Sequence, residues 1–257
     1  MDAHADTWVV IPAFNEADWI RATLDALAAQ VVDAPFVVLV VDNASTDGTA
    51  GVVRALAAEH ATLDLRVLHE AEKGTGAACD SGARHAIEHG ATYVLRTDAD
   101  ALPAPDWVRR MRSCLHDEGL DLVGGRVSPR TDDGTSPRGA GIISAIAAWA
   151  MRQGGRLNPV NRGPQFQCAF TMVAGFNLGI RASTYLAAGG FPRTRIEDAH
   201  EDWELTNRVR EVSPRVRYRR GPLVRFSNRR VARHGVRNVL RWYTRHDGPV
   251  LEQVDVR

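Results

Sequence analysis

Two short runs of β-branched and apolar residues, WVVI at 8–11 and FVVLVV at 36–41, are apolar at every position, and this constrains the fold more than any other feature. A strand with one face in water alternates apolar and polar residues. A strand apolar throughout has both faces covered, as in a parallel sheet between two helical layers. Helical spacing fills the gaps. Trp19, Ile20, Leu24 and Leu27 recur at the helical period within residues 16–30. The pattern continues as a helix at 46–60, a strand at 65–68, a helix at 76–89 and a strand at 93–96. This order predicts an α/β fold with a doubly wound, mostly parallel sheet and right-handed crossovers. Such sheets bind ligands outside the carboxyl ends of their strands. The polar residues just after each strand are therefore the ones to examine.

The second half is less regular. A helix is expected at 105–118 and a strand at 122–127. Residues 128–141 are rich in Pro, Gly, Ser, Thr and Asp and read as a loop; residues 154–165, with two prolines, three glycines and two asparagines, read as a second. Strand-like pieces surround Gly175 in 170–181, a helical pattern covers 200–212, and a short terminal helix is expected at 236–244. The whole reads as one domain: a nucleotide-binding half at about 7–103, an acceptor and catalytic half at about 104–230, and a helical tail over 231–257.

The 257 residues carry a net charge of +1, which gives no argument for a nucleic-acid partner. Lys73 is the only lysine among 32 basic residues. Cys79, Cys114 and Cys168 are few, odd in number and without C-x-x-C spacing, which fits a reducing compartment. The first residues lack the basic start of a signal peptide. The longest apolar stretch, 140–151, is too short to span a bilayer. The expected location is cytoplasmic, peripheral at the inner face of the membrane if the acceptor is membrane-borne.

Five segments carry chemistry. Pro12-Ala13-Phe14-Asn15-Glu16 follows the first strand, where Pro12 stops the ladder and Asn15 can cap the next helix. Asp42, at the end of the second strand, can accept hydrogen bonds from a base or a ribose; Ser45, Thr46 and Asp47 are candidate caps. Glu72-Lys73-Gly74-Thr75-Gly76 is a glycine-containing turn before a helix, open to an anion, though neither a Walker A loop nor G-x-G-x-x-G. Asp98-Ala99-Asp100 is a D-x-D pair directly after the fourth strand. Two carboxylates so close repel unless a cation relieves them, and Mg²⁺ or Mn²⁺ can bridge them to a diphosphate. Glu201 and Asp202 open a later helix. Their charge suits the helix dipole, and Asp202 can equally serve as a general base toward an acceptor hydroxyl.

In order, these segments resemble the successive motifs of the family 2 inverting glycosyltransferases of the A-type fold. The likeness rests on VVIPAFNE, VVDNASTDGT, EKGTGAACDSGARHA, LRTDADALP, GFNLGIRASTYLAAGGFP and HEDWELTNRV, and runs over about 9–230. The resemblance implies roles. Pro12, Ala13, Asn15 and Glu16 would line the nucleotide pocket, Asp42 would bind base or ribose, and Lys73 would contact the nucleotide. Arg84 would reach the diphosphate. Asp98 would touch ribose or metal, and Asp100 would be the direct ligand of a divalent Mn or Mg ion. Asp202 would be the catalytic base, with Glu201 its neighbour. The partners implied are a nucleotide-sugar donor, with UDP the default, and a carbohydrate, lipid-linked or other hydroxyl acceptor. There are departures. His85 stands where many members have asparagine. VRFSNRR at 224–230 stands where many have a metal-binding histidine, so Ser227, Arg229 and Arg230 are expected to hold the diphosphate instead. His234 reads as a surface residue, with a ligand role the alternative. The 14 arginines between 208 and 257 read as a solvated face enriched by codon bias or, as the sharper alternative, as a patch for a phosphorylated acceptor or an anionic membrane.

Two other classes share this kind of fold. A nucleotidyltransferase would carry a glycine-rich first loop with arginine and lysine, which 12–16 lacks. A catalytically silent nucleotide-binding module would have no need of Asp98, Asp100 and Asp202 together.

Overall fold

The computed structural model describes residues 5–134, 136, 155–193 and 201–229. The expected terminal helix and tail, the apolar stretch 140–151, Glu197, Asp198, His200, Arg230 and His234 lie outside them. The first strands are those expected, except that β1 does not stop at Pro12 but stays in register with β2 through Ala13: β1 (Thr7–Ala13), β2 (Phe36–Asp42), β3 (Asp64–His69) and β4 (Tyr93–Arg96). Between them run α1 (Ile20–Ala28), α2 (Thr49–Glu59) and α3 (Thr75–Glu88). After them come β5 (Leu102–Pro103), α4 (Trp107–His116), β6 (Leu122–Pro129), β7 (Leu178–Arg181), α5 (Ala182–Ala187), α6 (Glu201–Val212) and β8 (Val216–Phe226).

The eight strands form one sheet in the order β3-β2-β1-β4-β7-β6-β8-β5. β1 pairs in parallel with both β2 and β4, and β2 with β3. β7 runs antiparallel between β4 and β6, while β6 and β8 are again parallel. The chain therefore leaves β1 in one direction and returns on its other side at β4. That reversal opens a crevice at the carboxyl ends of β1 and β4.

The apolar runs are buried on both faces, as their pattern requires. Val9 and Ile11 pack with α1, α2 and α4 residues such as Leu24, Leu56 and Trp107. Trp8 and Val10, pointing the other way, pack with Ala78, Ala83 and Tyr185 from α3 and α5. α3 lies close on the sheet at Gly82, where a Cβ would sit 2.5 Å from Val10 Cγ1 and 2.7 Å from Val41 Cγ2.

β8 has no counterpart in the sequence reading. Its charged residues and Gly221-Pro222 hide the period-two pattern. The pairing with β6 absorbs this interruption: Gly124 faces Tyr218, but Arg126 already faces Leu223, so the strand is kinked there.

Candidate active site

The side chains of the loops after β1 and β2 knit the two loops to each other. Asn15, at a positive φ of 54°, accepts from Thr46 N (2.8 Å), and its own N–H donates to Ser45 Oγ (3.0 Å). The capping role expected of Asn15 is thus not what the structure shows: α1 begins at Trp19 without a side-chain cap. Glu16 N donates to Thr49 Oγ1 (2.9 Å), and Asp47 takes the N–H of Ala17 and of Thr49. Of the three expected caps, only Asp47 serves α2, from just before Gly48.

Asp42 is buried at the end of β2, with Ser45 N at 3.3 Å and His69 Nδ1 at 3.6 Å. Its neighbour Asn43, which the sequence reading gave no role, holds the next loop. Asn43 Nδ2 donates to the carbonyls of Glu70 (3.1 Å) and Glu72 (2.7 Å), and its Oδ1 accepts from Gly74 N (2.8 Å). This fixes the turn that carries Lys73. The lysine is exposed, with its ammonium 5.6 Å from the Phe14 ring centre, so the first and third loops meet over the crevice.

The D-x-D turn is pinned on three sides. Thr23 Oγ1 of α1 lies 2.7 Å from Ala99 O and 2.8 Å from Ala101 O. Arg130, buried after β6, donates to Asp100 O (2.9 Å). Arg229, beyond β8, sets its Nε 3.0 Å from Asp100 Oδ2. The same guanidinium forms a bidentate pair with the buried Glu16 carboxylate. Burial pushes the Glu16 carboxyl up to about 7 even so. Glu16, Asp100 and Arg229 are 213 residues apart in sequence at the extremes and form one ionic cluster. Ser227 is turned aside: it donates to Asp133 Oδ2 (2.7 Å).

Arg84 is not brought to this crevice. Its Nε pairs with Asp80 (2.9 Å) and its Nη2 reaches Gly189 O (3.3 Å). It sits nine residues into α3, about 14 Å along the axis from the loop that holds Lys73. The residue joined to that loop is instead Arg193, which pairs with Glu70 (3.0 Å) and Glu72 (2.8 Å) and reaches Asp80 (3.3 Å).

The acidic pair that opens α6 lies beside the D-x-D turn. Arg96, the last residue of β4, is buried; its Nη2 stands 3.0 Å from Glu201 Oε1 and 3.4 Å from Asp98 Oδ1. Among the described residues its Nε and Nη1 have no hydrogen-bond partner. One guanidinium thus links the metal motif to the helix of the expected base. Asp202 accepts from Gly175 N (2.8 Å, Oδ2) and Trp203 N (2.8 Å, Oδ1). Burial, and then the adjacent Glu201, push its carboxyl up to about 6, against the pull of Arg96 and the two N–H groups. A carboxylate poised there is a competent base near neutral pH. Arg96 carried a usable signal: a charged residue closing an apolar strand directly before D-x-D.

A profile described as Glycosyl transferase family 2 matches residues 8–181, more than half of the chain. The chain belongs to that family. The match ends before Glu201 and Asp202. The chain is 34% identical over 121 residues to the undecaprenyl-phosphate mannosyltransferase of Micrococcus luteus, covering 47% of this chain and 48% of that protein. It is 37% identical over 130 residues to the polyprenol monophosphomannose synthase of Mycolicibacterium smegmatis, covering 48% and 46%. The solved mannosyltransferase PcManGT from Pyrobaculum calidifontis, in complex with GDP-Man and Mn²⁺, superposes with a TM-score of 0.61 at 26% identity, over 85% of this chain and 56% of that one. The matches thus span about half the length of these relatives. The family 2 member's sheet is the A-type glycosyltransferase sheet, mostly parallel in its first half and mixed in its second.

Proposed function

We propose that this family 2 member transfers a sugar from a nucleotide-sugar to a hydroxyl on a lipid-linked acceptor, with inversion at the anomeric carbon and Asp202 as the base. The observation that carries the reading is the meeting of the two acidic motifs on Arg96, which sets a poised carboxylate beside a D-x-D turn. Asp202 would take the acceptor proton as the acceptor oxygen bonds to the anomeric carbon. The bond to the diphosphate breaks, and its electron pair leaves with the nucleoside diphosphate. Asp42, Lys73 and the 12–16 loop surround the space for the nucleotide, and Arg229 stands ready as a counter-charge to the diphosphate.

Asp98 and Asp100 fit a divalent ion. They offer hard oxygen donors, and Asp100 already holds a cation, Arg229. Among the described residues no group of three or more His, Cys, Asp or Glu gathers for a metal, so diphosphate oxygens and water would complete the shell. A bound ion would neutralise charge that grows on the leaving diphosphate.

The test is a thermal-shift screen of UDP, GDP, dTDP and CDP, each with and without Mn²⁺. One nucleotide should raise the melting temperature by about 5–10 °C near hundredfold its Kd, in the presence of metal. Asp100→Ala should lose the metal-dependent part. A variant that keeps the full rise removes Asp100 from the metal site, and no rise with any nucleotide removes the donor class.

A second reading takes the acceptor oxygen from the lipid phosphate itself. The names of the Micrococcus and Mycolicibacterium relatives favour it.

A further inference from the structure

Among the described residues the two most exposed large apolar side chains are Val160, at 71%, and Leu157, at 66%. They stand three residues apart in one turn, R-L-N-P-V-N-R, with Arg156 and Arg162 at its two ends. Most described arginines lie within 4 Å of a carboxylate. Among the described residues Arg156 and Arg162 donate to the carbonyls of Phe170 (3.3 Å) and Arg156 (2.9 Å) and pair with no carboxylate, and both are exposed. Apolar tips between two exposed cations are suited to an anionic interface.

The turn is fastened by hydrogen bonds to the helix of the expected base. Asn158 Oδ1 accepts from Val160 N (3.1 Å) and Pro159 sets the backbone of the 3-10 turn Pro159–Asn161. The buried Asn161 is the bolt. Its Oδ1 accepts from Trp203 Nε1 (2.7 Å) and Asn207 Nδ2 (2.9 Å), its Nδ2 donates to Gly155 O (2.6 Å), and Arg210 reaches its carbonyl (3.0 Å). Trp203, Asn207 and Arg210 all belong to α6, which begins at Glu201 and Asp202.

The geometry points to this turn as a membrane-docking tip: Leu157 and Val160 enter the headgroup boundary of an anionic bilayer, and Arg156 and Arg162 bind its phosphates. Its purpose rests on the proposed lipid-linked acceptor, since docking there sets Asp202, on the attached helix, at a fixed height above the bilayer. Two side chains are far short of the roughly 20–30 residues a side of a stable protein interface, but they suffice for interfacial insertion aided by charge.

The experiment is co-sedimentation of the full chain with phosphatidylcholine vesicles, with and without phosphatidylglycerol. The chain should pellet with the anionic vesicles. Arg156→Gln/Arg162→Gln should weaken partition by about 30-fold, roughly fivefold for each arginine. Leu157→Ser/Val160→Ser should weaken it by on the order of tenfold or more. All four positions are exposed, so both variants should keep the wild-type nucleotide-induced thermal shift. Unchanged partition of both variants, or no partition of the wild type, overturns the proposal. So does a vesicle-free dimer that Leu157→Ser/Val160→Ser dissolves, because the tip is then a contact between copies. Vesicle binding without any nucleotide shift would sink the transferase reading and leave the docking tip standing; a shift without vesicle binding would do the reverse.

Discussion

Asp202→Asn should lower sugar transfer to a hydroxyl acceptor by about 10²-fold or more while leaving the nucleotide-induced rise in melting temperature intact. Asparagine keeps the shape of the side chain and one of the two hydrogen bonds from Gly175 and Trp203. It loses the other but removes a charge that burial and Glu201 both disfavour, so fold stability should change little. What disappears is the proton acceptor. The same group sets a pH dependence. The base works only when deprotonated, so kcat/KM should fall about tenfold per pH unit below about 6, and the variant should lose that limb. The variant also separates the two acceptor readings. A phosphate monoester already carries a nucleophilic anion near neutral pH, its second pKa being about 6. Transfer to a lipid phosphate would therefore survive Asp202→Asn almost unchanged, and near-normal turnover with any hydroxyl acceptor would remove Asp202 from the role of base.

The donor half was legible because its signals are local. A strand apolar at every position has one placement, in a sheet covered on both faces, and β1 and β2 fall within two residues of that expectation. The residues after them then follow from the crossover rule. The acceptor half depends on long-range pairing. β8 was missed because Arg217, Arg219, Arg220 and Gly221-Pro222 break the alternation that marks a strand, yet it carries the chain to Arg229. Arg229 could be named from its segment, but its pairing with Glu16 and Asp100 could not be read from spacing. Arg84 was named from a resemblance, and what the sequence could not tell is that its partner in the fold is the Asp80 carboxylate one turn back on α3. Asn43 and Arg130 were invisible because each acts by satisfying backbone groups of other loops, and Asn161 because its partners Trp203 and Asn207 lie on a helix far along the chain.

Arg96→Met should cost about 3–5 kcal/mol of stability near neutral pH and shift the pH profile of transfer upward. Arg96 is the cation that Asp98 and Glu201 share, and it also draws the Asp202 carboxyl downward. Methionine fills much of the space but leaves the buried Glu201 and the half-buried Asp98 and Asp202 without the cation beside them. Protonation of Asp202, whose carboxyl is already raised, would then be favoured further, and the sign follows. A carboxyl whose folded-state pKa is raised favours the folded state at low pH, and that contribution fades as pH rises from the unfolded value through the folded one. The variant should therefore lie closest to wild type near pH 5 and fall furthest behind at pH 8, as chemical denaturation at the two pH values would show. The alkaline shift of the kcat/KM limb, from about 6 upward, tells positioning from mere support, since a packing defect far from Asp202 would lower stability without moving it. Arg96→Lys should restore the limb toward the wild-type pH by keeping the charge, with part of the stability still missing because the shorter lysine does not set its ammonium where Nη2 meets both Asp98 and Glu201. A limb that stays at the wild-type pH in Arg96→Met would show that this arginine does not act on Asp202.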